Sequence, residues 1–217
     1  INEVIRSLQL DRGDEIITTD HEYGAMDKAW EFITEKKGAN YKRVELPFPI
    51  ESSKDIFSTI VNSISQKTKI LFISHITSPT GIIFPVEDLC KYARENNIIT
   101  IIDGAHVPGH IQLDIKDLNP DFYIGTCHKW LCTPKGVSFL YVRRNFQDSI
   151  DPLIIGWGWK DYDSNSSEFI NNHEWWGTRD MSAYFCLPVA LKMHQTKEMI
   201  DGRMHCQSKI PIIRDIV

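Results

Sequence analysis

Short, unbroken apolar runs separated by stretches of helical periodicity constrain this chain more than any other feature. Residues 70–73 (Ile-Leu-Phe-Ile) and 98–102 (Ile-Ile-Thr-Ile-Ile) have no polar face, so a strand there must be covered on both sides. Residues 15–19, 41–46, 121–125 and 137–142 read as further strands. Between them, 23–37, 54–65 and 86–96 carry helical periodicity, the last entered through Pro85 with Glu87 and Asp88 in its first turn. This alternation specifies an α/β fold, a three-layer α/β/α sandwich with a mostly parallel sheet and helices on both faces. After Arg144 the texture changes to aromatic, glycine-rich loops, Gly156-Trp157-Gly158-Trp159 and Trp175-Trp176-Gly177. Residues 182–199 then read as one long amphipathic helix.

Composition excludes several classes of function. With 24 basic and 29 acidic side chains the net charge is −5, which leaves no basic footprint for nucleic acid. No apolar run approaches the ~20 residues needed to cross a bilayer. The start, Ile1-Asn2-Glu3-Val4-Ile5-Arg6, lacks the architecture of a signal peptide. It also lacks an initiator Met and reads as the interior of a helix, so a fragment is expected. Cys90, Cys127, Cys132, Cys186 and Cys206 are odd in number and irregularly spaced, which favours reduced thiols and a cytoplasmic location.

Ligands of open α/β sheets bind outside the carboxyl ends of the strands. Asp20-His21-Glu22-Tyr23, Asp103-Gly104-Ala105-His106 and Thr126-Cys127-His128-Lys129-Trp130 all follow strands, on that one edge. Lys129, between His128 and Trp130 past a buried strand, is expected to be partly desolvated, the setting that makes an amine a Schiff-base nucleophile. Its bland alternative is a surface lysine lying over Trp130. Asp103 ends an apolar strand either as a helix N-cap or as the partner of a cation. Together they match the lysine and the acid that pyridoxal phosphate requires, one for the imine and one for the ring nitrogen. A zinc site on Cys127, His128 and Cys132, with His106 and His110, competes with this reading. The spacing lacks the second regular pair of a closed site, so no metal is expected. No Gly-x-Ser-x-Gly, Gly-x-Gly-x-x-Gly or Walker loop occurs.

Asp103-Gly104-Ala105-His106, Asp121-Phe122-Tyr123, His128-Lys129-Trp130, Pro134-Lys135-Gly136 and Phe139-Leu140-Tyr141-Val142-Arg143, in that order, resemble the class V aminotransferase family. Thr19-Asp20-His21-Glu22-Tyr23-Gly24-Ala25, Ile76-Thr77-Ser78-Pro79-Thr80-Gly81 and Gly177-Thr178-Arg179-Asp180 are most similar to its isopenicillin N epimerase-like branch. The likeness runs from near residue 1 to about residue 195. It implies the large domain of pyridoxal-phosphate fold type I over 1–200, with 201–217 a tail of uncertain structure and the small C-terminal domain largely missing.

The resemblance also implies roles. Lys129 would carry the cofactor imine and move the α-proton, Asp103 would pair with the ring nitrogen, and His106 would contact the ring hydroxyl. His21 would stack over the ring face, with Tyr23 as the alternative in that loop, and either His21 or Tyr23 could be the second acid/base that epimerisation requires, with Tyr23 the proton donor for carbon–sulfur cleavage. Thr126 and His128 would bind the phosphate, and Thr178 a phosphate in the neighbouring subunit of a homodimer. Ser78, counted with the cofactor residues, stands where cysteine desulfurases commonly have asparagine. The implied reaction acts at the α-carbon of an amino acid or amino-acid-derived substrate. Epimerisation, carbon–sulfur cleavage and amino transfer remain alternatives, as does an inactive truncated relative. Two expected parts are absent from the sequence: the phosphate-cradling loop before Ile1 and the arginine-bearing C-terminal domain.

Overall fold

A computed structural model describes residues 1–160 and 166–214. In chain order these form α1 (Asn2–Ser7), β1 (Glu15–Thr19), α2 (Gly24–Lys37), β2 (Asn40–Val44), α3 (Ser53–Asn62), β3 (Thr68–Ser74), α4 (Val86–Glu95), β4 (Ile99–Gly104), α5 (Ile115–Leu118), β5 (Phe122–Thr126) and β6 (Ser138–Val142). A 3-10 turn (Arg144–Ser149) leads to α6 (Glu168–Glu174), α7 (Ser182–Phe185), α8 (Leu187–His194) and α9 (Lys197–Arg214). Among the described residues, no helix is long and apolar enough to cross a membrane.

The sheet order is β2-β1-β3-β4-β5-β6, parallel except where β6 returns antiparallel to β5. Strand side chains alternate between two cores, as the period of two demands. Ile16, Ile70, Phe72, Ile101 and Phe122 pack under α1 and α2 with Val4, Ile5, Trp30 and Ile33. Ile17, Leu71, Ile73, Ile102 and Tyr123 face α3 and α4 with Ile56, Ile60, Leu89 and Ala93. The continuous apolar runs are therefore buried on both faces, as read from the sequence. A chain that first lays β2 outside β1 and then returns to place β3 on the other side leaves a crevice between the carboxyl ends of β1 and β3.

The C-terminal stretch departs from expectation. The single helix over 182–199 is three helical segments, broken at Cys186-Leu187-Pro188 and again at Gln195-Thr196. Pro188 sits in the first turn of α8, where its missing N–H costs nothing, and so starts a helix rather than continuing one. Of the stretch set apart as a tail, residues 201–214 are helical, since α9 runs on through Pro211 to Arg214, and residues 215–217 lie outside the described residues.

Gly104 shows how tightly β4 and β5 approach. A Cβ there would lie 2.2 Å from the Tyr123 phenol, so only glycine leaves room for that ring. The Tyr123 hydroxyl in turn meets His75 Nδ1 at 3.0 Å inside the core. Burial pushes the His75 imidazole down to about 4. The unfolded chain takes up a proton near pH 6.5, and the folded chain only below that. Stability therefore falls as pH drops through this window. Chemical denaturation at pH 7 and pH 5 should show about 2 kcal/mol more loss in the parent than in His75→Gln. Equal losses would contradict a buried neutral His75.

Candidate active site

The carboxyl ends of β1, β3, β4 and β5 converge on a small cavity lined by Tyr23, Ser74, Ile76, Ser78, Asp103, Ala105, His106 and Lys129. Five of the residues singled out from the sequence (Tyr23, Ser78, Asp103, His106 and Lys129) thus meet in one place. Asp103 is on β4 itself, and the other four arrive on the loops that follow β1, β3, β4 and β5.

Asp103 is held by the sheet. It lies opposite Ser74 in the β3–β4 ladder, its carbonyl accepts from the His75 N–H at 2.8 Å, and Oδ1 accepts from the Ala105 N–H at 3.0 Å. Only 6% of the residue is exposed. Burial raises its pKa, against the Ala105 hydrogen bond and the Lys129 charge, which favour the anion.

Lys129 Nζ lies 2.9 Å from His106 Nε2, and the Trp130 indole N–H donates to His106 Nδ1 at 3.2 Å. His110 stacks on Trp130 with centroids 4.4 Å apart and holds the indole from behind. The two loops can approach this closely because Gly109 has φ +81° and a Cβ there would meet the Leu131 backbone at 2.7 Å. Backbone bonds from Cys127 to Val137 and Thr133, and from Cys132 to Lys129, fix the lysine loop between β5 and β6. Lys129 itself is exposed, which corrects the expected desolvation: the loop lifts it off the strand to the cavity rim. Burial and the Lys129 charge both hold His106 below the usual histidine pKa, with His110 adding to the effect.

The other residues singled out lie off the cavity wall. His21 Nδ1 meets Thr80 Oγ1 at 3.0 Å, tying the loop after β1 to the loop after β3. Thr126 is buried at the end of β5, paired with Ser138. His128 Nδ1 lies 3.0 Å from the Val137 carbonyl. Thr178 is exposed, next to Gly177 at φ +101°. Cys127 is buried and Cys132 exposed, and no three His, Cys, Asp or Glu side chains among the described residues are placed to hold a metal.

The sequence reading gave no role to Glu22. It is buried, its Oε2 accepts from the Ser74 N–H at 3.0 Å and the Ser74 hydroxyl at 2.5 Å, and Oε1 meets Thr19 Oγ1 at 2.9 Å. Desolvation pushes its pKa up to about 8, and the nearby Asp103 charge adds to the rise. Its partner Ser74 lies 52 residues away, so only its place in a polar cluster after β1 hinted at it.

The match to the model of the family Aminotransferase class-V extends over residues 1–209. The chain belongs to the class-V aminotransferase family. It is 31% identical over 201 residues to the isopenicillin N epimerase of Streptomyces clavuligerus, covering 88% of this chain and 50% of that protein. It is 28% identical over 209 residues to a probable chloroplastic L-cysteine desulfhydrase of Arabidopsis thaliana, covering 91% and 42%. Among solved structures, the cystine C-S lyase C-DES superposes with a TM-score of 0.78 at 26% identity, over 90% of this chain and 53% of the lyase. Another C-DES structure holds glycine covalently linked to its pyridoxal phosphate. The chain spans about half the length of the relatives it matches.

Class-V relatives are pyridoxal-phosphate enzymes, and the architecture here is that of the fold type I large domain. The donor set fits that cofactor: a primary amine at the rim, a buried carboxylate beneath it and an imidazole beside the amine share one cavity. Replacing Lys129 by Met removes a neighbouring cation, so the His106 pKa should rise, read from its ring protons by NMR. An unchanged titration would contradict the Lys129–His106 contact.

Proposed function

We propose that this chain is the cofactor-binding part of a cytoplasmic pyridoxal-phosphate enzyme that acts at the α-carbon of an amino acid or amino-acid-derived substrate. The observation that carries this is the joint placement of Lys129, His106 and Asp103 on one cavity at the sheet's carboxyl edge. Bound there, the cofactor would act as an electron sink for the bond broken at Cα.

Lys129 would attach the cofactor and, once displaced, carry the α-proton. Its exposure at the rim suits a side chain that must swing between attachment and proton transfer. Asp103, fixed by the ladder and the Ala105 N–H, would hold a proton on the ring nitrogen. His106 would orient Lys129 and donate toward the ring hydroxyl, with Trp130 holding the imidazole in place. His21, anchored to Thr80, would cover the ring, and Ser78 lies on the wall beside it. Thr126 and His128 would receive the phosphate at the end of β5. Exposed Thr178 would reach a phosphate across a homodimer interface.

The epimerase-like and carbon–sulfur lyase readings share these steps and diverge afterwards. Tyr23, more than half exposed on the cavity wall, serves either: a second acid/base for epimerisation, or a proton donor to a departing thiolate. The epimerase likeness at 31% identity and the lyase fold at TM-score 0.78 support them about equally.

The complete protein, treated with pyridoxal phosphate and then borohydride, should carry the reduced label on the peptide containing Lys129. Lys129→Ala should lose the label and keep the fold. Asp103→Ala should keep the label and lose Cα–proton exchange into solvent by at least about tenfold, roughly one pKa-unit equivalent of stabilisation. A label elsewhere, or full exchange in Asp103→Ala, would sink the assignments.

A further inference from the structure

Lys129 borders two cavities. One is the cradle it shares with Asp103 and His106, and the other, of about 470 Å³, opens between the lysine loop and α9. Trp130 stands between them. Its indole N–H donates to His106 on the cradle side, while its ring, stacked on His110, lines the larger cavity. Met199, Gly202 and Ile210 supply the wall on α9. A volume of this size with apolar walls and few polar groups is the form small-molecule sites take.

The charges around it are unequal. Among the described residues that line it, Lys129 and Arg203 are basic and Glu198 is the one acid. Arg203 is clamped by His194 of α8, donating from Nη1 to Nδ1 at 2.9 Å and from Nη2 to the carbonyl oxygen at 3.2 Å. A guanidinium only donates, so the imidazole that accepts from it is neutral, as is the carbonyl. These bonds fix the guanidinium without cancelling its charge, and His194 is itself buried. A fixed cation on an apolar wall suits a carboxylate at the end of an apolar chain.

We propose that this cavity is the side-chain subsite of the substrate, and that it selects an α-amino acid whose long apolar side chain ends in a carboxylate. The methylenes lie against Trp130, Met199 and Ile210, and the terminal carboxylate pairs with Arg203. This rests on the pyridoxal-phosphate reading, in which Lys129 marks the position of the α-carbon. A side chain as short as that of cysteine would leave most of the volume to water, which weighs against cysteine as the substrate.

Two readouts test it on the complete protein, with α-aminosuberate as the probe. The first needs no cofactor. Cys132 on the lysine loop and Cys206 on α9 are exposed free thiols lining the cavity, whereas Cys186, also exposed and free, is not among its lining residues. Without pyridoxal phosphate, α-aminosuberate should slow alkylation of Cys132 and Cys206 by iodoacetamide several-fold and leave Cys186 unchanged, read peptide by peptide. α-Aminooctanoate, the same chain without the terminal carboxylate, should protect less, and Arg203→Met should erase the difference.

The second readout uses the loaded protein and compares Cα–proton exchange of α-aminosuberate with that of alanine. A Cβ at Gly202 would meet nothing within 4 Å, so Gly202→Leu fills the cavity without strain and with a better helix former. The ratio of the two rates should fall by at least about tenfold, close to what two buried methylenes contribute. Unprotected Cys132 and Cys206, equal protection by the two amino acids in the parent, or a ratio unmoved in Gly202→Leu would overturn the inference. A missing borohydride label on Lys129 would instead overturn the cofactor reading, and the thiol protection would still decide whether the cavity takes the chain.

Discussion

The site depends on one rung of the sheet, Ser74 opposite Asp103 at the carboxyl end of the β3–β4 ladder. A register slip of one residue would turn Asp103 to the other face and bring Ile102 to the cavity. The apolar runs of β3 and β4 guard against that slip, because each strand feeds alternate residues into two separate cores. Moving Phe72 or Leu71 to the wrong face would vacate both. The packing that makes the sheet stable is thus also what aims the acid.

Around that rung the chain arranges its charges unequally. The rim holds an exposed amine beside a histidine that burial and the amine keep from charging, and the floor holds buried carboxyls. An amine at the mouth and carboxyls at the base give the cavity two chemically different ends within a few residues, which suits a planar polar ring better than a hydrophobic slot would. The switch in strand order between β1 and β3 provides the opening, and Gly104 and Gly109 provide the close backbone approaches of β4 and its following loop to Tyr123 and Leu131.

Much of this was legible in the sequence. The strands, the parallel sheet and the convergence of Tyr23, Ser78, Asp103, His106 and Lys129 follow from periodicity, from polar residues at strand ends and from the family resemblance. What escaped detection depended on contacts distant in sequence. Glu22 acquires its character from Ser74 and Asp103 on two other strands, and nothing near it in the chain announces burial. The exposure of Lys129 is set by backbone bonds to Val137 and by the Cys132–Thr133 turn, not by the apolar strand before it. The 182–199 helix was misjudged because amphipathic periodicity persists through a break that Pro188 and the Gln195-Thr196 junction impose. Helical periodicity gives a face, not continuity.

The central claim is that Lys129, His106 and Asp103 form one cofactor cradle at the carboxyl ends of β4 and β5. A crystal structure of the complete protein grown with pyridoxal phosphate tests it most directly. The account predicts density joined to Lys129 Nζ, with the ring nitrogen against the Asp103 carboxylate and the phosphate toward Thr126 and His128. Cofactor seated elsewhere, or a ring whose nitrogen faces away from Asp103, would contradict it.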